Sequence, residues 1–142
     1  MESSVKELSE YRLARAIEML KASEENLKIN QLKTSLNRSY YAIFHAMRAV
    51  NILDGYDSSK HSGVIAYFNQ HYLKESKLPR ELSVIIKGSS YLREKSDYDD
   101  FYVAGKKDAE QQLQDARDFA KCVEAYVHSL EVEDKNASKR HD

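Results

Sequence analysis

Asn37-Arg38-Ser39-Tyr40-Tyr41-Ala42-Ile43-Phe44-His45-Ala46-Met47-Arg48-Ala49-Val50 contains neither Gly nor Pro, and its apolar residues recur at helical spacing. At about 100° of rotation per residue, Leu32, Leu36, Tyr40, Ile43, Met47 and Val50 fall on one stripe. Arg38, Tyr41, Ala42, His45, Ala49 and Ile52 fall roughly opposite. The segment therefore predicts a helix with two non-polar sides, both of which have to be buried. The second side carries a cation and an imidazole, Arg38 and His45, seven residues and about 10 Å apart along the axis.

The rest of the chain suits a helical setting for this segment. Four Gly and one Pro in 142 residues are too few for the many turns of an all-β fold, and favour long helices with short connections. Hydrophobic residues make up 42% and charged residues 32%, a balance that buries a core and excludes wholesale disorder. The net charge of -1 supplies no overall field for nucleic acid, so RNA binding requires a local basic cluster. The single cysteine, Cys122, has no internal disulfide partner and sits in a periodic segment as a small packing residue. There is no secretory pattern at the start and no apolar run approaching about 18 residues, so the expectation is a cytoplasmic protein without a membrane span.

Periodicity places a first helix at about 4–28 and the opening segment in a second at about 31–53, ended by Gly55 in a left-handed cap. A short helix carries Val64, Ile65, Phe68, Tyr72 and Leu73. A fourth helix, opened by Pro79, covers about 80–95, an aromatic loop covers 96–105, and a last helix covers about 106–130. Residues 131–142 turn polar and charged, which reads as a frayed, disordered tail after one domain spanning 1–130. The resulting architecture is all-α: an up-and-down antiparallel bundle of four long helices plus one short helix. It accounts for every apolar stripe except the second side of the Arg38–His45 helix, which a second copy of the chain would cover.

Arg38 and His45 are the sharpest candidate site. An imidazole exchanges protons near neutral pH, and a guanidinium holds phosphate with a fork of donors. Together they suit RNA cleavage by attack of a 2′-hydroxyl on the neighbouring phosphate, with two copies of the helix bringing the pairs closer. Tyr41 can stack on a base, as can Tyr40 and Phe44, although Tyr40 lies on the core stripe and Phe44 at its edge. Arg48 is either a phosphate contact or a solvated cation. Lys60 and His61 precede the short helix, where they either bind an anion or pack and cap. Asp97, Asp99 and Asp100 lack EF-hand spacing and suit a structural role, with Arg93 or Lys95 as partners and Tyr98 packed inward. No zinc-type Cys and His spacing and no glycine-rich phosphate loop is present, so neither metal nor cofactor is expected.

Asn37 to Ala46, Lys60-His61-Ser62-Gly63, Leu92-Arg93-Glu94-Lys95-Ser96-Asp97-Tyr98 and the helix from Asp108-Ala109-Glu110 to Tyr126 occur in one order that resembles the small prokaryotic HEPN domain proteins, over about residues 5–128. The resemblance implies a dimerising helical bundle with an Arg, four to six residues, His motif at the dimer interface. In active members that motif supports metal-independent RNA cleavage, often as the toxin of a pair whose antitoxin is a minimal nucleotidyltransferase. Carried over, the motif is Arg38 and His45, with Ser39 as the polar residue after the arginine. Some members carry, two positions after the histidine, a tyrosine that the partner modifies; here that position is Met47. The resemblance leaves two alternatives to a nuclease: a non-catalytic module partnering a separate nucleotidyltransferase, or a nucleotide-binding domain.

Overall fold

Three helix ends in this chain are built alike. The computed structural model describes residues 3–141. In it, α1 (Ser3–Lys28) ends in a left-handed residue at Asn30. α2 (Leu32–Asn51), continued by a 3-10 turn (Ile52–Asp54), ends at Gly55 with φ 82°. α3 (His61–Phe68), continued by a widened turn over Asn69–Leu73, ends at Ser76. Each time, the left-handed residue donates its amide three residues back and the next residue donates five back. Gln31 reaches the Asn26 carbonyl at 2.8 Å, Tyr56 reaches Asn51 at 3.2 Å, and Lys77 reaches Tyr72 at 2.9 Å. These bonds satisfy the last free carbonyls and turn the chain out of the helix axis. Glycine is the default for that conformation, and an asparagine adopts it at small cost.

α4 (Leu82–Tyr98) and α5 (Lys106–His141) complete an all-helical fold; among the described residues there is no strand. α4 begins after Pro79, Arg80 and Glu81, whose carbonyls accept from Leu82, Ser83 and Val84 in a tight turn, and it runs to Tyr98 rather than stopping near 95. α5 continues through the segment read above as a polar tail. Residues 132–137 of that extension are exposed, so the helix there rests on its own ladder and on good helix formers such as Glu, Lys and Ala. No helix among the described residues is long and apolar enough to cross a membrane.

α2 is the hub of the bundle and packs on every other helix. Its inward stripe, Leu36, Tyr40, Ile43, Met47 and Val50, is fully buried in one core with Phe68 and Tyr72 from the third helical segment and Phe119 and Val123 from α5. Tyr72 donates its hydroxyl to the Val50 carbonyl at 2.7 Å, and the Asn51 amide reaches the Val64 carbonyl at 3.2 Å, so the α2 end and α3 are tied by polar bonds inside an apolar shell.

Much of the second side of α2 is covered within the chain by α1, while Arg38, Tyr41 and His45 on that side stay partly exposed. Ser35, Ser39, Ala42, Ala46 and Ala49 of α2 face Ser9, Arg12, Ala16 and Ser23 of α1, all of them buried. Ser9 Oγ donates to the Ala49 carbonyl at 2.7 Å, and Ser23 Oγ lies 3.0 Å from Ser35 Oγ and 2.7 Å from Ser39 Oγ. These pairings fix an antiparallel register that puts Ala16 opposite Ala42. The side chains are small enough for the two backbones to approach closely, and the hydroxyls of the seam serines Ser9, Ser23, Ser35 and Ser39 each have a partner. By contrast the large apolar side chains of Tyr11 and Ile17 on α1 are 63% and 50% exposed.

Enlarging the seam tests this packing. Ala42→Leu is expected to lower unfolding free energy by roughly 1–3 kcal/mol through overpacking. Ser23→Ala, which leaves the Ser39 hydroxyl without a partner while Ser35 keeps its bond to the residue 23 carbonyl, is expected to cost about 1–2 kcal/mol. Urea titration followed by far-ultraviolet circular dichroism measures both, and an unchanged midpoint for Ala42→Leu would place the two helices farther apart than described.

Candidate functional site

With Ala42 and Ala49 sealed under α1, only an edge of the second side stays accessible. Arg38, Tyr41 and His45 lie along it and, with Arg15 and Met19 of α1, line one open cleft of about 340 Å³. Arg38 also borders a neighbouring cleft formed with Lys33, Thr34, Asn37 and Asp97. Its Nη1 donates to Asn37 Oδ1 at 2.7 Å, and among the described residues no carboxylate lies within ion-pair distance of it. Its charge is left for an anion from outside.

His45 is half-buried, with its ring against Tyr41 (6.2 Å between centroids) and Phe44 (6.0 Å). Burial, reinforced by the positive charges of Arg15, Arg48 and Arg12 and opposed by Glu18, pushes its pKa down from 6.5 to about 4. The imidazole is therefore neutral at physiological pH and able to accept a proton. Among the described residues neither of its ring nitrogens has a hydrogen-bond partner.

Arg48, which the sequence left as a phosphate contact or a solvated cation, is engaged within the chain. Its Nη2 is 2.8 Å from Asp57 Oδ1, the same oxygen that Arg12 Nη2 reaches at 2.9 Å, and its guanidinium also lies 5.9 Å from the Phe44 ring centroid. The hydrogen bond from Arg48 and the charges of both arginines hold the Asp57 carboxyl below the usual carboxylate range. Arg15 pairs with Glu18 at 2.6 Å. Three arginines, Arg12, Arg15 and Arg48, thus lie around His45, with Arg38 farther along the same cleft, against the carboxylates of Asp57 and Glu18, a local positive surplus on a chain whose net charge is -1. This is the basic cluster that composition alone could not reveal.

On the other flank of Tyr41 stands His61, the first residue of α3. Its ring stacks on Phe44 at 4.3 Å, meets the edge of Tyr41 at 5.8 Å, and bonds the Tyr40 hydroxyl through Nδ1 at 2.6 Å. Arg93 of α4 lies over Tyr40 at 4.9 Å and Tyr41 at 5.9 Å. Burial lowers the His61 pKa, and the Arg93 charge lowers it further. Lys60 occupies the cap position of α3 with an exposed side chain that makes no cap bond. The structure thus brings Arg38, Tyr41, His45 and His61 onto one continuous surface, and ties Arg48 into an internal ion pair.

Arg15 and Met19 line this surface without having been singled out from the sequence, and Arg93, read there as a partner for the aspartates, reaches Tyr41 as well. The register of the α1–α2 seam places the first two there, and no one helix carries that information. Among the described residues no group of three His, Cys, Asp or Glu side chains is placed to hold a metal. Arg93 and Lys95 meet Asp97 and Asp99 at 3.5 and 3.7 Å. Tyr98 is 74% exposed and does not pack inward, because the last turn of α4 extends beyond the core that would receive it.

Residues 9–126 match the HEPN domain family model. A "UPF0332 protein" of Thermotoga maritima is 31% identical over 121 residues, covering 85% of this chain and 92% of that one. "Putative toxin MJ0142" of Methanocaldococcus jannaschii is 27% identical over 132 residues, covering 93% and 90% respectively. The crystal structure of TT1696 from Thermus thermophilus shares the fold with a TM-score of 0.69 at 18% identity, over 83% of this chain and 97% of that one. The helical order, the hub helix and these matches together make this chain a member of the HEPN domain family.

Proposed function

We propose that this HEPN protein is a metal-independent endoribonuclease of toxin type that acts on single-stranded RNA as a homodimer, with Arg38 and His45 of both copies at a shared site. The observation that carries the reading is a neutral imidazole and an unpaired guanidinium lining one open, positively surrounded cleft. The toxin designation of the Methanocaldococcus relative supports the class. In this scheme His45 accepts the proton of a ribose 2′-hydroxyl as its oxygen attacks phosphorus. Arg38 stabilises the charge gathering on the non-bridging oxygens. The bond to the 5′-oxygen breaks, that oxygen takes up a proton, and the products are a 2′,3′-cyclic phosphate and a 5′-hydroxyl. About 10 Å of helix between the two side chains is long for a single phosphate, which is the reason for drawing the second copy into the site. Tyr41, Lys60 and His61 serve as strand contacts along the same surface.

A second reading has its own observation. Tyr91, Tyr98, Phe101 and Val103, at the end of α4 and just after it, are 60%, 74%, 94% and 85% exposed. Large apolar side chains left in water suit a protein partner. This favours a non-catalytic subunit of a separately encoded nucleotidyltransferase.

Incubation of the purified protein with single-stranded RNA in the presence of a chelator separates the two. Cleavage is expected, with His45→Ala and Arg38→Ala each lowering the rate by about 10²-fold or more. Cleavage that survives both substitutions removes the assignment, and a protein inert on RNA that binds a nucleotidyltransferase through Phe101 supports the second reading.

The neutral state of His45 has two consequences in pH. As a base it must be unprotonated, so kcat/KM is expected to rise with pH through about 4 and to show no limb from this group near 6.5. Folding stability follows the same group. Between pH 6.5 and about 4 the unfolded chain takes up a proton that the folded protein refuses, so stability falls as pH drops through that window. His45→Gln is expected to flatten this part of the curve, and denaturant titrations from pH 4 to 7 compare the two proteins.

A further inference from the structure

We propose that His61 is a strand-binding residue that donates a hydrogen bond from Nε2, as a neutral imidazole, to a phosphate oxygen of an RNA strand seated across Tyr41. The inference rests on the reading of the His45 cleft as the place where RNA binds, and it adds a second contact point with a fixed proton.

The Nδ1 atom of His61 is already engaged, 2.6 Å from the Tyr40 hydroxyl. The direction of that bond follows from its surroundings. Arg93 lies over the face of the Tyr40 ring, and among the described residues the Tyr40 hydroxyl has no hydrogen-bond partner other than His61 Nδ1, so that nitrogen is the one acceptor open to its proton. The phenol is itself held protonated, its pKa pushed up to about 12 chiefly by burial, so it gives its proton to Nδ1. A neutral imidazole that accepts at Nδ1 carries its own proton on Nε2. Among the described residues Nε2 has no partner, and it is not one of the buried unpaired atoms, so it meets solvent. Stacking on Phe44 at 4.3 Å holds the ring plane. In this assignment the bond to Tyr40 sets the tautomer and the stack on Phe44 sets the direction of the donor.

Its position gives the donor a use. The Tyr41 ring stands between the two histidines, 6.2 Å from His45 and 5.8 Å from His61. A base stacked on Tyr41 brings its flanking phosphates to either side, one over His45 and Arg38 and the other over His61 and the exposed Lys60 ammonium. A neutral N–H donor suits the second place. It binds the phosphate without adding a second positive charge beside Arg93.

The test uses the full chain and a fluorescent 2′-O-methyl single strand, which offers no free 2′-hydroxyl for attack. Anisotropy is expected to show His61→Ala binding about tenfold more weakly than the parent, since a hydrogen bond to a charged group is lost. His61→Gln, whose amide nitrogen stands near the place of Nε2, is expected to recover most of that loss. Nitrogen-15 spectra of the parent are expected to show the His61 proton on Nε2, and Tyr40→Phe is expected to shift it toward Nδ1. A structural role alone predicts no recovery by glutamine. Equal affinity for parent and His61→Ala, or a proton on Nδ1 in the parent, overturns the proposal, while weakening by Arg38→Ala leaves the RNA reading standing. A parent that does not bind the strand overturns both. Should His61→Ala fail to fold, the parent spectrum and the glutamine variant still decide.

Discussion

The close approach of α1 and α2 through Ser9, Ala16 and Ser23 on one side and Ser35, Ala42 and Ala49 on the other fixes everything that follows. Small side chains contribute little hydrophobic free energy one by one, at roughly 25 cal/mol per Å² of apolar area buried. Their effect is geometric: they let two long helices share a seam in a single register, set by the Ser9–Ala49 bond at one end and the Ser23 hydroxyl between Ser35 and Ser39 at the other. That register carries Arg12 and Arg15 of α1 up beside His45 of α2. A shift by one helical turn would move both arginines about 5 Å along the axis and dissolve the cluster.

The electrostatics of the cleft follow from this placement. Half-burial alone disfavours the imidazolium, and three arginines nearby disfavour it further, so a residue that titrates near neutrality in water becomes a permanent neutral base. Asp57 keeps the arrangement from flying apart. One of its oxygens holds both Arg12 and Arg48, and the Asp57 side chain is 45% exposed, so the pairing works mainly by positioning and less by net stabilisation. The surplus charge is left at the mouth of the cleft, on Arg38, where among the described residues no carboxylate neutralises it.

The parts of the fold that depend on apolar periodicity were legible in the chain. The stripe from Leu36 to Val50, the core use of Val64, Phe68 and Tyr72, and the left-handed Gly55 are all where spacing and residue type put them. The seam was not, because its members are serines and alanines, and serine reads as surface when only hydropathy is followed. The same blind spot turned Ala42 and Ala49 into an unpartnered face. Arg15 escaped for another reason: it is an ordinary helix cation in its own segment and becomes part of a site only through the packing of α1 against α2, while Arg93 was legible as an aspartate partner but not as a neighbour of Tyr40 and Tyr41. Asn30 and Ser76 as left-handed caps were hidden because each residue type occurs far more often elsewhere, whereas glycine announces the conformation. The helix beyond residue 130 has no apolar stripe to follow, so only local propensity could have signalled it.

Covering the second side of α2 within one chain changes what a second copy would have to do. A dimer is no longer needed to remove apolar surface from water, since α1 already does that. What stays open is a polar edge, Arg38, Tyr41 and His45, with repelling positive charge along it. Two such edges brought together directly would set like charges face to face, at a cost of roughly 1–4 kcal/mol per close pair depending on the local dielectric. On the proposed reading a polyanionic strand lying between them would relieve that repulsion, because each phosphate would answer a guanidinium from either side. In such an arrangement the strand is part of the interface. Assembly and substrate binding then favour each other, since whatever stabilises the strand in the cleft also draws the two copies together.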